Sequence, residues 1–336
     1  MNFHKSNVFL IVIASFLISS CNSEFDVFLE GASEPVIHAN INPFDTISYV
    51  RLTKSFVGES SILSLASDTN KLYYDNTSVK IDINTPEGYP VRTFTLNKVR
   101  LLDRDQGVFV RSPNFAYELN HPLITYLDEG FQVRLIASVG DSGQLVTAQY
   151  IYHAPPAILL PLPSHKTMLS LYGQDRTQVQ WVENIGTRKY ELEVRVNYIN
   201  NYSDHKKSAS TTCRYYYFSR RIPTDEEEII ISHIVYGDDL LRDLSTRVPL
   251  DTTVLYRTFT SIDFIINCYS QEILDYQTSC QITADRSGRP VTNIVGGLGF
   301  FALNITSATK GYLVDNKTYD SLAFGRFTRH LGFYRR

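Results

Sequence analysis

Methionine, tryptophan and cysteine are scarce in these 336 residues, at two, one and four, and long apolar runs are missing. A helix that spans a bilayer needs about twenty consecutive apolar residues, whereas Val8 to Ile18 supplies about eleven, the length of a signal-peptide core. Charge of neither sign is in excess. With a net charge of −3 and acids and bases interspersed, the chain has no electrostatic footprint for nucleic acid. The eight histidines are scattered, with no H-x-x-x-H and no C-x-x-C, so the spacing that gathers zinc ligands on one face is missing. There is no G-x-S-x-G elbow for a serine nucleophile. Gly296-Gly-Leu-Gly lacks the G-x-G-x-x-G spacing and leads into a strand pattern, so it offers no phosphate cradle. Neither a metal, a cofactor nor a catalytic residue is indicated.

What is present favours strands. Tyrosine is abundant at 22, and Thr, Val and Ile recur in short runs, a composition that fits pleated, half-buried surfaces. An apolar content of 43% is enough to build cores, and a charged fraction of 20% is too low for disorder. Two acidic features invite a calcium reading. Asp225-Glu-Glu-Glu with Asp238-Asp239 reads better as a solvated face, and Asp103-Arg-Asp-Gln-Gly has its glycine one position early and no closing glutamate, so it reads as a turn.

The first residues meet the requirements of export one by one. His4 and Lys5 form a basic n-region, the apolar core follows, and Ile18-Ser19-Ser20-Cys21 resembles the lipobox of bacterial lipoproteins. Cleavage is expected before Cys21, whose thiol would then carry lipid. At ~0.8 kcal/mol per buried methylene, two or three acyl chains hold a protein at a bilayer. Asn22-Ser23-Glu24-Phe25-Asp26 resembles the short acidic stretch that in Bacteroidota directs lipoproteins to the outer face of the outer membrane; a periplasm-facing orientation is the alternative.

Beyond the signal, alternating segments separated by Gly, Pro, Asn and Asp predict an all-β body of two β-sandwich domains, immunoglobulin-, fibronectin- or transthyretin-like, with one or two short helices in the second. Strands are expected at Pro35-Val-Ile-His-Ala-Asn-Ile, from Tyr49, Val79, Gly107 and Phe131, and from Leu145 after an Asp141-Ser-Gly-Gln turn. Four prolines between Pro155 and Pro163 disfavour helix and central strand and set the boundary. Residues 1–20 are then a signal peptide, 21–33 a lipidated tether, 34–157 the first domain, 158–308 the second, and 309–336 an aromatic and basic tail, expected to pack against the second domain, with a terminal hairpin or part of a contact surface as the alternatives. In the second domain, Tyr190, Leu192, Val194, Val196 and Tyr198 alternate as an inward set. Trp181 opposite them resembles fibronectin-type sandwiches, in which a tryptophan and a tyrosine pack across the core. Helices are expected over Asp238 to Leu244 and Gln271 to Gln277, and the aromatic run Tyr215-Tyr-Tyr-Phe reads as a strand or a stacking surface.

With Cys21 assigned to lipid, Cys213, Cys268 and Cys280 remain, an odd number. A Cys268–Cys280 bridge would close a short loop worth about 3 kcal/mol, Cys213 competes for either partner, and three buried thiols are the alternative.

The order of these signals resembles a family of Bacteroidota outer-membrane lipoproteins, that of domain-of-unknown-function 4249, often encoded beside TonB-dependent receptors. The matching residues are Glu34-Pro-Val-Ile, Val50-Arg-Leu-Thr-Lys-Ser, Val108 to Pro113, Ala154-Pro-Pro-Ala-Ile, Trp181 with Tyr190, and Thr292-Asn-Ile-Val-Gly-Gly-Leu-Gly-Phe-Phe. His38-Ala departs from the family's glycine after the first strand, and Gly107-Val-Phe from its Gly-x-Tyr. The resemblance implies an accessory lipoprotein of a nutrient-uptake system, partnered by a receptor barrel, with an unknown ligand and no reaction. A structural or adhesive surface protein is the alternative, and a glycosidase with two carboxylates outside any motif is a third reading. Asp45-Thr46-Ile, Asp251-Thr252-Thr and Asp320-Ser321-Leu resemble the Asp-Ser/Thr-apolar O-glycosylation acceptor of the same phylum, which makes Thr46, Thr252 and Ser321 candidate sites.

Overall fold

The computed structural model describes residues 33–55, 64, 66, 68–107, 110–140, 143–162, 168–202, 208–221, 230–280 and 290–335. The signal segment, Cys21, the tether and the acid run at 225–228 lie outside them. The first half forms β1 (Pro35–Ile41), β2 (Ser48–Lys54), a one-turn helix α1 (Thr69–Leu72), β3 (Thr77–Asn84), β4 (Pro90–Leu101), β5 (Asn114–Leu119), β6 (Gln132–Val139) and β7 (Gln144–Ile151). Period two sets their faces. Val79, Ile81 and Ile83 of β3 and Val133, Leu135 and Ala137 of β6 are fully buried, and Ile81 stands between Leu135 and Phe94 on its neighbours, the cross-strand contact that stabilises a sheet.

The second half forms β8 (Ile158–Leu160), β9 (Met168–Leu169), β10 (Arg176–Val182), β11 (Lys189–Tyr202), β12 (Ser208–Arg221), β13 (Ile230–Tyr236), α2 (Gly237–Arg247), β14 (Val254–Tyr269), α3 (Gln271–Ser279), β15 (Leu298–Leu303), β16 (Ile305–Val314) and α4 (Asn316–Phe324). Sheets β13-β10-β8 and β12-β11-β14-β16-β9 enclose its core. The expected inward set of β11 is buried throughout, and Trp181 meets Tyr190 with ring centroids 5.9 Å apart. Helix α2 buries Leu240, Leu241 and Leu244. Its first turn carries Asp238 and Asp239 and its last Arg247, charges that oppose the helix dipole at each end. The fold is all-β with sandwich-like packing, as the alternation predicts, and both expected helices are present.

Three expectations are corrected. The strand expected from Gly107 to Arg111 is not seen where it is described: Gly107 is a bend, Val110 and Arg111 lie in no strand, and Val108 and Phe109 are outside the described residues. Val110 N donates to Ala66 O instead of a sheet neighbour, and Pro113 just beyond has no N–H to offer a ladder. The bound drawn at residue 309 cuts through a strand. Residues 309–314 complete β16, α4 follows, and Phe333 bridges Arg257 of β14 while packing 5.6 Å from the Tyr198 ring. The guanidinium of buried Arg257 holds this end through the carbonyls of Leu331 and, at 2.8 Å, Pro249.

The third correction concerns the domain boundary. The first sheet runs β15-β1-β2-β5-β4-β3-β6-β7, so a strand encoded in the second half belongs to the first domain. β15 pairs in parallel with β1 from Val36↔Leu298 to Ile41↔Leu303, burying Phe301, Ala302 and Leu303. Just before it, Val295 exchanges both backbone hydrogen bonds with Thr147 of β7, at 2.8 and 3.0 Å, so the sheet curls until its two edges are stitched together. The Thr292-to-Phe301 segment is therefore a clasp. Asn293 donates to Phe301 O (2.7 Å) and accepts from Phe301 N (3.0 Å), a side chain imitating a ladder partner, while Thr292 Oγ1 donates to Gly299 O at 2.7 Å.

Candidate functional site

The return of β15 to the first sheet brings the first half of the chain and the second side by side. From the first come Gln149, Tyr150 and Ile151 at the end of β7; from the second come the β10–β11 turn and the first turn of α3. Between them lies a cleft of about 400 Å³, inside the range of roughly 300–1,000 Å³ usual for small-molecule sites.

Short hydrogen bonds fix its walls. Asn184 opens the β10–β11 turn: its Oδ1 accepts from Gly186 N at 2.9 Å, and its own N–H donates to the Tyr190 hydroxyl at 2.6 Å. The Asn184 amide also donates to Ala154 O in the link between domains. Such Asx turns are built from the side chain itself. On the facing wall, Glu129 binds His153 Nδ1 at 2.6 Å and Ala154 N at 2.7 Å. The His153 ring lies so close over Gly186 that a β-carbon there would stand 2.4 Å from its Cδ2.

The charges are arranged differently from the walls. Arg188 donates from Nη1 to Ile185 O at 2.9 Å, which orients the guanidinium and leaves its other donors available. Glu272 stands half-buried on α3. Burial, and after it the negative charge of Glu272, pushes the Tyr150 hydroxyl well above the ordinary phenol range, so it stays a neutral donor. Among the described residues, neither Arg188 nor Glu272 forms an ion pair, with each other or with another side chain.

The residues singled out in the sequence lie elsewhere. Cys21 is outside the described residues. Cys268 is buried in β14 and Cys280 is exposed beyond the C-terminal end of α3, and they are not bridged. The reason is geometric: nine residues of helix at 1.5 Å each carry the second thiol about 13 Å onward, whereas a disulfide needs Cα atoms within about 7 Å. Thr46 and Thr252 are exposed in turns, and Ser321 is half-buried in α4. Tyr215 of the aromatic run is fully buried, and Tyr216 is exposed. Among the described residues, no group of three or more His, Cys, Asp or Glu gathers as for a metal. The cleft itself has no signal in the sequence, because its residues come from three distant segments that the fold brings together; the strand from Leu145 and the helix from Gln271 are expected, and their meeting is not.

No protein-family model matches the chain, and no curated protein does. Solved structures with some likeness include the native conformation of E. coli alpha-2-macroglobulin, at 10% identity and a TM-score of 0.20 over 85% of this chain and 14% of that one. Another is the C-terminal globular domain of oligosaccharyltransferase from Pyrococcus abyssi, at 9% identity and a TM-score of 0.19 over 62% of this chain and 42% of that one. This chain thus spans less than half of either, and neither likeness bears on its fold or activity.

Proposed function

We propose that this protein is a lipid-anchored, surface-exposed outer-membrane lipoprotein that acts without catalysis, as the binding or accessory partner of a TonB-dependent nutrient-uptake receptor. The observation that carries the reading is the distance from anchor to body. Thirteen residues lie between Cys21 and Pro35, where β1 begins; a fully extended chain over those fourteen steps reaches about 50 Å, so the lipid would keep the folded body within reach of a receptor in the same membrane. The cleft supports a binding role, since its walls come from both halves of the chain and His153, Asn184 and Arg188 are held by hydrogen bonds before any ligand arrives. The family resemblance supports the choice of partner.

The test is made in the native host. Immunoprecipitation from detergent-solubilised membranes is expected to recover a receptor-sized β-barrel, and Cys21→Ser is expected to release the protein from the membrane fraction. Recovery of no barrel, with loss of cell-surface attachment in a deletion strain, would replace this reading with an adhesive one. Turnover of a polysaccharide by the purified protein would replace it with an enzymatic one.

A further inference from the structure

The cleft holds two opposite charges that do not neutralise each other. Arg188 is held by carbonyl oxygens and Glu272 projects from α3, both half-buried and both without a charged partner among the described residues. Partial burial weakens the hydration of both groups without supplying a counterion, and a charge held this way gains most from a ligand that brings the opposite sign. Gln149 adds an amide group to the same cleft, and Gln271, whose Nε2 donates to Asp275 Oδ1, adds its carbonyl oxygen and its second N–H; each can donate and accept, as a peptide bond does. Ile185 and Ile151, 77% and 49% exposed, line it from opposite domains, a pairing that offers apolar contact to a side chain between them.

From this arrangement we propose that the cleft binds a short free peptide with an apolar side chain. Its carboxylate is taken by Arg188, its ammonium by Glu272, its peptide group by the two glutamines and its side chain by the two isoleucines. The planar guanidinium suits a terminal carboxylate because it can bond both oxygens at once. The inference rests on the reading of the protein as a binding lipoprotein and names the chemical class of what that site would carry.

Calorimetric titration of the whole mature chain with trileucine, N-acetyl-trileucine and trileucine amide tests it. The free tripeptide is expected to bind, and blocking either end is expected to weaken it about tenfold or more, the worth of one hydrogen-bonded charge. Arg188→Gln should bind free and amidated peptide equally while still rejecting the acetylated one, and Glu272→Gln should do the reverse. A variant that merely misfolds loses all three peptides together, so the exchange of preference distinguishes contact from damage; if either variant behaves so, Arg188→Lys and Glu272→Asp must restore part of the preference. Equal affinity for all three peptides, no binding by the wild-type protein, or binding of maltotriose in their place overturns the proposal. If the peptides fail while the receptor barrel is still recovered, the ligand class is wrong and the accessory role stands. If they bind while no barrel is found, the accessory role is wrong and the ligand class stands.

Discussion

Gly299 and Ile37 meet backbone to backbone: a β-carbon on Gly299 would stand 1.8 Å from the carbonyl oxygen of Ile37, and the glycine's φ is +101°. The parallel pairing of β15 with β1 depends on that approach. Gly299→Ala is expected to cost about 3 kcal/mol or more, because left-handed strain and a backbone clash add. Gly311→Ala is the control. Its φ is +82° but nothing lies within 4 Å of the new methyl, so strain alone should cost about 1–2 kcal/mol. Urea midpoints of both variants check this, and equal losses would show that the approach to Ile37 is immaterial.

Asn293 acts on the same clasp through its side chain. Asn293→Ala removes one donated and one accepted hydrogen bond and strands the backbone groups of Phe301, for an expected loss of about 2–3 kcal/mol. Asn293→Asp should not rescue it. An aspartate can accept from Phe301 N, but its second oxygen would face the Phe301 carbonyl. Recovery of wild-type stability by the aspartate would show that the donated bond contributes nothing.

How much of this was legible in the sequence depended on whether the signal was local. The alternation of β11 and its pairing with Trp181 could be read because one face of a strand is decided by period two alone. The helix α4 had a local signal too, since Asp315 caps it by accepting from Thr318 N at 2.8 Å, but the aromatic and basic residues around it read as a tail. β4 was harder. Only Phe94 and Leu96 of its twelve residues are buried, so its alternation is too sparse to see. The place of β15 was invisible in principle: Leu298 to Leu303 reads as a strand in any sheet, and nothing near it specifies a partner some 260 residues earlier in the chain. The cleft inherits that invisibility.

The three thiols should differ sharply in reactivity. Cys268 is buried, and burial pushes its thiol up to about 12; Cys213 is raised as well, also by burial. Cys280 is exposed. Because the thiolate is the reacting species, native protein treated with iodoacetamide near neutral pH should be alkylated first at Cys280, and at Cys268 only after unfolding. Peptide mass spectrometry reads the order. A Cys268–Cys280 bridge in non-reduced native protein would contradict the geometry of α3.

His38 should give the fold a pH dependence with a known sign. It lies on β1 beneath α3, its Nε2 2.7 Å from the Tyr276 hydroxyl and its ring edge-on to those of Tyr276 and Phe300. Burial first, and then the charge of Arg51, lowers its pKa below the ordinary imidazole value of about 6.5. The Tyr276 phenol, pushed up to about 12 mainly by burial, stays protonated and donates to Nε2 in the neutral tautomer that carries its proton on Nδ1. In the unfolded chain His38 takes up its proton near pH 6.5, and in the folded chain only at lower pH, so acidification favours the unfolded state. Stability from this residue is fully present above pH 6.5, falls as pH drops from there toward the folded value, and levels off below it. The slope cannot exceed about 1.4 kcal/mol per pH unit for one proton. His38→Gln keeps an acceptor for Tyr276 and removes the titration, so urea midpoints measured from pH 7.5 down to pH 5 should fall less steeply in the variant than in the wild type. Parallel profiles would mean that the His38 proton is not what couples this α3 contact to pH.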